Sequence, residues 1–329
     1  LMAYTTIDDP VEYFSATLYT ANGTARTIAT GHQSDWVWLK RRDGAAGHRI
    51  ADSVRGANKL LYSDSSTSEQ SASNTITGFV STGFTLGDDS GGYDVNTSSN
   101  TMVGWSWKES ATAGFDIVSY TGTGSAKTVS HNLGVKPDVI ICKSRSGTEE
   151  WRPYFSVLGA TYGMRLNGTN AKDDDAGYWN DTEPTSSVFT VGTNSGTNGN
   201  TVTFIAYCFA EKKGYSKFGS YVGNGNADGT FVYTGFKPSF VMAKMSSSTG
   251  NWSIFDNKRS SFNVVDEMIK GNSSQAELAD SSRKIDFNSS GFKIRADHAD
   301  INTSGGTYIY MAFAESPFVN SNGVPNNAR

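Results

Sequence analysis

Two cysteines in 329 residues exclude a disulfide framework, and Cys142 and Cys208 both stand inside apolar runs where buried small hydrophobes are expected. Charge is also scarce. Asp, Glu, Lys and Arg make up 18% of the chain, against roughly 25% in ordinary globular domains. The net charge of −4 leaves no basic footprint for nucleic acid. No apolar run approaches the roughly 18 residues of a membrane helix, so no membrane insertion is expected. The chain opens without a basic region followed by an apolar stretch, so a soluble product made in a cytoplasm is expected, without a secretory leader. There are four histidines, His32, His48, His131 and His298, and none is spaced as a metal pair. A Gly-x-Ser-x-Gly elbow is missing too, and with it the commonest mark of serine hydrolysis. These gaps point to a non-enzymatic protein with no cofactor and no metal.

What the chain does have is repetition. An aromatic-led turn occurs as Tyr19-Thr20-Ala21-Asn22-Gly23, Tyr120-Thr121-Gly122-Thr123-Gly124 and Tyr221-Val222-Gly223-Asn224-Gly225, each tyrosine 101 residues after the one before. An apolar strand ending in lysine follows each turn: Asp35 to Lys40, Asp138 to Lys143 and Ser239 to Lys244. Each copy closes on an aromatic strand and a glutamate, Glu109, Glu211 or Glu315. Signposts in constant order and spacing indicate tandem duplication. The spacing divides the chain into an N-terminal segment (1–14) and three modules (15–112, 113–214 and 215–329).

Within a module, apolar runs of four to seven residues bounded by Gly, Asn, Asp or Ser indicate strands and turns. In the first copy, strands are expected near 16–19, 36–40, 48–52, 59–62, 76–80, 84–86 and 102–107. The fold class is therefore all-β, with three tandem β-sandwich modules. The lysine-terminated strand and the last strand are apolar on both faces, which marks them as central neighbours. Residues 266–269 and 275–279 are expected to form short helical turns, and 63–73 a long exposed loop.

Few residues suggest chemistry. The glycine turns resemble nucleotide loops only in composition and are expected to be hairpins. His48 and Asp52 share a strand face and read as a surface or edge pair, and Lys40-Arg41-Arg42 as a solvated strand end. One segment stands apart: Asp173, Asp174, Asp175, Tyr178 and Trp179 mix carboxylates with two large rings. It is compatible with stacking and hydrogen bonding to a glycan, with oxygen ligation of Ca²⁺, or with an ordinary loop whose rings turn into the core.

The opening Met2-Ala3-Tyr4-Thr5-Thr6-Ile7-Asp8-Asp9-Pro10, then Tyr13-Phe14, resembles the start of virion structural proteins of tailed phages, especially marine ones. The repeated turn, the Pro-Asp-x-Val-x-x-Lys strand and the closing Phe-Ala-Glu resemble a module met in such proteins. The first copy departs from it, with Ser34 in place of proline and Trp107-Lys108-Glu109 in place of Phe-Ala-Glu. The resemblance implies a virion surface protein made in the host cytoplasm, of the tail-fibre or receptor-binding class, or else a capsid decoration protein. A glycan depolymerase is a further alternative. It also implies partnership with other capsid or tail proteins, host attachment through a cell-surface glycan, and a homotrimer. The N-terminal segment, through Tyr4, Ile7, Tyr13 and Phe14, is then expected to dock on the particle as an extended strand.

Overall fold

The protein is all-β, and one antiparallel strand order recurs along it. In a computed structural model that describes residues 4–279 and 281–327, strands Phe14–Thr20, Thr101–Trp107, Trp36–Arg41 and Arg49–Asp52 lie side by side in that order. The order returns in Phe115–Thr121, Thr203–Phe209, Val139–Ser144 and Arg152–Phe155. It returns again in Ser216–Val222, Thr307–Pro317, Phe236–Met245 and Trp252–Asp256. Register is kept as well: Trp36, Val139 and Phe240 face Trp107, Phe209 and Phe313. The last long strand of each repeat lies between the first strand and the lysine-terminated one, and layers packed on its two faces bury it on both sides.

A smaller sheet covers one face of each large sheet. These are Arg26–Ala29 with Gly83–Leu86 and Ile76–Val80, Lys127–Ser130 with Val188–Val191, and Phe231–Tyr233 with Gly291–Ile294 and Ile285–Asn288. Each sandwich has its own apolar filling, such as Val37, Leu39, Ile76 and Phe84 in the first. The opposite faces of the three large sheets turn toward one another and share a single core. Trp36, Trp38, Trp105 and Trp107 meet Ile141, Tyr207 and Phe209, and both sets meet Phe240, Met242, Met311 and Phe313. Trp36 stacks on Tyr207 at 4.5 Å, and Trp107 and Phe209 meet Phe313 at 5.5 and 5.8 Å. The tryptophans of the first repeat thus belong to a common centre, where the rings of three strands exclude water together.

Three local expectations are corrected. Residues 266–269 and 275–279 are not helical. Glu267–Lys270 and Leu278–Ala279 are strands that extend the third large sheet, because one or two helical turns have no stability without packing whereas a sheet edge offers hydrogen bonds at once. Strand Arg26–Ala29 was not foreseen, since Ile28 alone among its residues is buried. The 63–73 segment is not a free loop: Ser63 is buried and donates to Gly271 O at 2.7 Å, and Gln70–Ser71 pairs with Lys59–Leu60.

Candidate functional site

The segment around Asp173 turns its rings inward. Asp173 and Asp174 pair with Tyr162 and Gly163, and Asp175 caps the short helix Ala176–Trp179 by accepting from Gly177 N at 2.8 Å. Tyr178 and Trp179 are 3% and 1% exposed. Arg152 lies over the Tyr178 ring at 4.5 Å, Tyr154 meets Trp179 edge-on at 5.7 Å, and the Tyr178 hydroxyl donates to Asp173 at 2.6 Å. Neither ring has a free face on which a sugar can stack, which overturns the glycan expectation at this loop. The Ca²⁺ reading has no geometric support, since no three His, Cys, Asp or Glu side chains gather as a metal site among the described residues.

The N-terminal segment is occupied within the chain from Tyr4 onward, while Ala3 lies outside the described residues. Tyr4 donates to Gly235 O at 2.9 Å and Thr5 to Lys213 O at 2.9 Å. Ile7 is buried, Tyr13 meets Tyr215 edge-on at 6.1 Å, and Phe14 stacks on Phe313 at 5.1 Å in the common core. Asp8 accepts from Ser321 N at 2.7 Å. The expectation that Ile7 and Phe14 are available to a particle is corrected: they seal the junction of the third repeat with the first, which no covalent link spans.

The repeated signature is structural. The turn tyrosines donate to Val95 O, Thr197 O and Ile301 O at 2.8, 2.6 and 2.8 Å. Asn96, Asn198 and Asn302 then pin the turns. Their side-chain oxygens accept from Asn22 N, Thr123 N and Asn224 N, and their backbone oxygens accept from the glycine NH of Gly23, Gly124 and Gly225. Those three glycines adopt φ of 67, 71 and 66°, which explains their recurrence without a ligand.

The lysines that close the strands are also structural. Lys40, Lys143 and Lys244 are almost fully buried and bind backbone carbonyls: Arg41 O at 2.7 Å, Ser66 O at 2.9 Å and Thr169 O at 3.3 Å respectively. Burial pushes each amine down to about 8. Lys143 and Lys244 thereby reach into the preceding repeat. Trp151 and Trp252 do the same, donating to Tyr62 O at 2.7 Å and Arg165 O at 2.9 Å. At the matching place in the first repeat, His48 bonds Lys270 O at 3.0 Å, having accepted from Trp38 Nε1 at 2.7 Å. Burial, then the nearby Lys40, hold that imidazole at about 3 and so neutral. Arg145 pairs with Glu69 at 2.9 Å and Arg42 with Glu277 at 2.8 Å. The second repeat leans on the first, the third on the second and the first on the third, so the contacts close a ring. His48 and Asp52 are therefore buried rather than a surface pair, and in Lys40-Arg41-Arg42 the lysine is buried and Arg42 pairs across a seam with Glu277, so the run is not a solvated end.

A groove of about 360 Å³ lies beside the edge strand Phe14–Thr20, lined by Val11, Ser15, Thr17, Thr30 and Lys258. Ser15 is bonded to Ser106 at 3.2 Å, Ser106 to His32 Nε2 at 3.2 Å, and His32 Nδ1 to Val11 O at 2.7 Å. Burial lowers the His32 pKa, so the ring is a neutral acceptor for Ser106. Among the described residues the strand pairs on one side only. Its other side can accept an extended segment through backbone hydrogen bonds.

The chain belongs to a family described as a domain of unknown function, DUF7483, which matches residues 9–317. The matched span takes in the large sheets of all three repeats and only the last six residues, 9–14, of the sealing segment. No curated protein matches the chain.

Proposed function

We propose that this protein is a non-enzymatic surface component of a tailed-phage particle, of the tail-fibre or receptor-binding class. The observation that carries the reading is the closed ring of seams. The recurring turn motif fixes each repeat from within, and the strand-ending positions Lys143, Lys244, Trp151, Trp252 and His48 tie the repeats together, which makes a stiff body whose outward faces are free to diverge. The resemblance of the opening segment and the repeated motif to virion proteins supports it, and so does the open edge strand beside Lys258, where a neighbouring particle protein can add a strand. The quasi-threefold arrangement favours a second reading, a decoration protein seated on a particle axis. Mass spectrometry of purified particles tests both. Copies in step with tail subunits are expected for the first, and copies in step with capsid subunits favour the second. Absence from particles sinks both. The homotrimer remains part of the proposal, and sedimentation reads it directly as three times 35.3 kDa rather than once.

A further inference from the structure

The three repeats differ on the outer face of their small sheets. In the edge strand of each, one buried residue, Ile28, Val129 or Val232, points into the sandwich, and its two neighbours point out. Those neighbours are Thr27 and Ala29 in the first repeat and Thr128 and Ser130 in the second. In the third they are Phe231 and Tyr233, 47% and 57% exposed. The fold does not require rings here, because two copies form the same strand without them. Exposing them carries a cost of roughly 25 cal/mol per Å² of apolar surface left in water.

The surroundings of the two rings define a site. Across the sheet, Phe231 pairs with Lys293 and Lys293 with Asp286, while Tyr233 pairs with Gly291 and Gly291 with Asn288. A Cβ on Gly291 would lie 2.0 Å from Val232 O and 3.1 Å from the Phe231 ring, so the ring lies across a position that only glycine can fill. The Tyr233 hydroxyl is 3.3 Å from that of Tyr4, which is itself anchored on Gly235 O. Charge on this face is balanced: Lys293 pairs with Asp228 at 2.5 Å, and Arg295 with Asp286 at 3.3 Å and Asp228 at 3.6 Å.

We propose that this face binds a neutral oligosaccharide. A sugar ring offers an apolar CH face to an aromatic ring and hydroxyls to the ammonium, carboxylate and amide groups around it. Lys293 and Arg295 are each held by a carboxylate and Lys213 lies 4.3 Å over the Tyr4 ring, so no cluster of unengaged cations faces the two rings to draw in an anionic polymer. Two rings fenced by ion pairs are also too small an apolar patch for a stable protein interface, which needs on the order of 1,000 Å². The inference deepens the adhesive reading and rests on it for biological use, though not for the binding itself.

The test is an array of neutral hexose and N-acetylhexosamine oligosaccharides, probed with the full chain and with a Phe231→Thr/Tyr233→Ser variant. That variant carries the residues that the second repeat has at the same places, so its melting temperature should match the parent. Saturable binding that falls at least tenfold in the variant is expected. No binding on the neutral panel, equal binding by the variant, or binding confined to acidic glycans overturns the inference. So does self-association lost in the variant, because the rings would then cover a second copy. Particle proteomics is a separate readout: a chain absent from particles that still binds sugar leaves this inference standing, and a particle protein that binds none sinks this inference alone.

Discussion

Tyr207 of the second repeat donates its hydroxyl to Asp52 of the first across 2.7 Å, and Asp52 is ion-paired with Arg55, with both charges fully buried. The seam between the first and third repeats is built the same way: Trp105 Nε1 donates to Asp256 at 3.0 Å, and Asp256 pairs with Arg259 at 2.5 Å. Burial alone would raise the Asp256 pKa, yet Arg259 and these donors hold it below its usual value. At the remaining seam the three matching places hold Met311, Phe155 and Leu158, all within or against the common core. Donor, carboxylate and guanidinium have been kept or replaced together, as expected where a buried ion pair is tolerable only when fully hydrogen-bonded.

Breaking one member of that seam should therefore cost more than replacing the set. Asp52→Ala leaves the buried Arg55 with only the 3.4 Å contact to Glu69 for its charge and should lose about 3 kcal/mol. The triple change Asp52→Phe, Arg55→Leu, Tyr207→Met, which copies the apolar seam, should be less destabilising than Asp52→Ala alone. Urea unfolding of the two variants decides the order.

The buried lysines make stability depend on alkaline pH. Their folded pKa of about 8 lies below the usual lysine value, so the unfolded chain binds more protons between pH 8 and about 10.4. Stability should rise with pH from 8, by about 1.5 kcal/mol per lysine up to pH 9.5. The buried thiols of Cys142 and Cys208, and closer to pH 10 the buried tyrosines, all with pKa raised by burial, oppose the trend. A Lys40→Met/Lys143→Met/Lys244→Met variant should therefore lose stability as pH rises over 8–9.5 in thermal melts.

Glu109 works in the opposite sense. Burial, aided by Asp116 and Asp35, pushes its carboxyl up to about 7 against the Ile117 N–H that it accepts. At the next junction Glu211 instead meets Lys217 at 2.7 Å. With the folded pKa raised, the native state holds the extra proton. Its stabilising effect is complete below about pH 4.3 and is lost as pH climbs through 7. Glu109→Gln should remove that slope, so the gap in melting temperature between pH 5 and pH 8 should shrink.

Trp107→Ala should cost about 3–5 kcal/mol, and the loss should be felt by the whole ring. The side chain contacts Phe14 at 4.9 Å, Phe240 at 5.9 Å and Phe313 at 5.5 Å, so it packs against the third repeat as well as its own. One cooperative transition, shifted down as a unit, is expected in calorimetry. By the same reasoning an isolated second repeat should fail to fold, since Ile141, Tyr207 and Phe209 would face water.

The fold was legible where local pattern decides it. Runs such as Trp36 to Lys40 and Met102 to Trp107 announced central strands because nothing in them alternates, and the strands observed there are Trp36–Arg41 and Thr101–Trp107. Which rings meet solvent was not legible, because burial of a ring is a property of its neighbours. Tyr178 and Trp179 stood out for their acidic flanks and are inside, whereas Phe231 and Tyr233 sit in an unremarked three-residue apolar run and are outside. The one available signal was comparison across copies, since rings stand in the third where Thr, Ala and Ser stand in the others.

The amino-acid sequence by itself determined an all-β chain, the places of its turns and the identity of its central strands, because strand periodicity and glycine's access to positive φ act within a few residues. Only the tertiary structure decided that the repeats share one core, that His48, Asp52, Lys143 and Lys244 lie at seams, and which aromatic rings meet solvent. Those outcomes depend on what a side chain meets from another repeat, 75 or more residues away along the chain, and spacing along a chain carries no record of that contact.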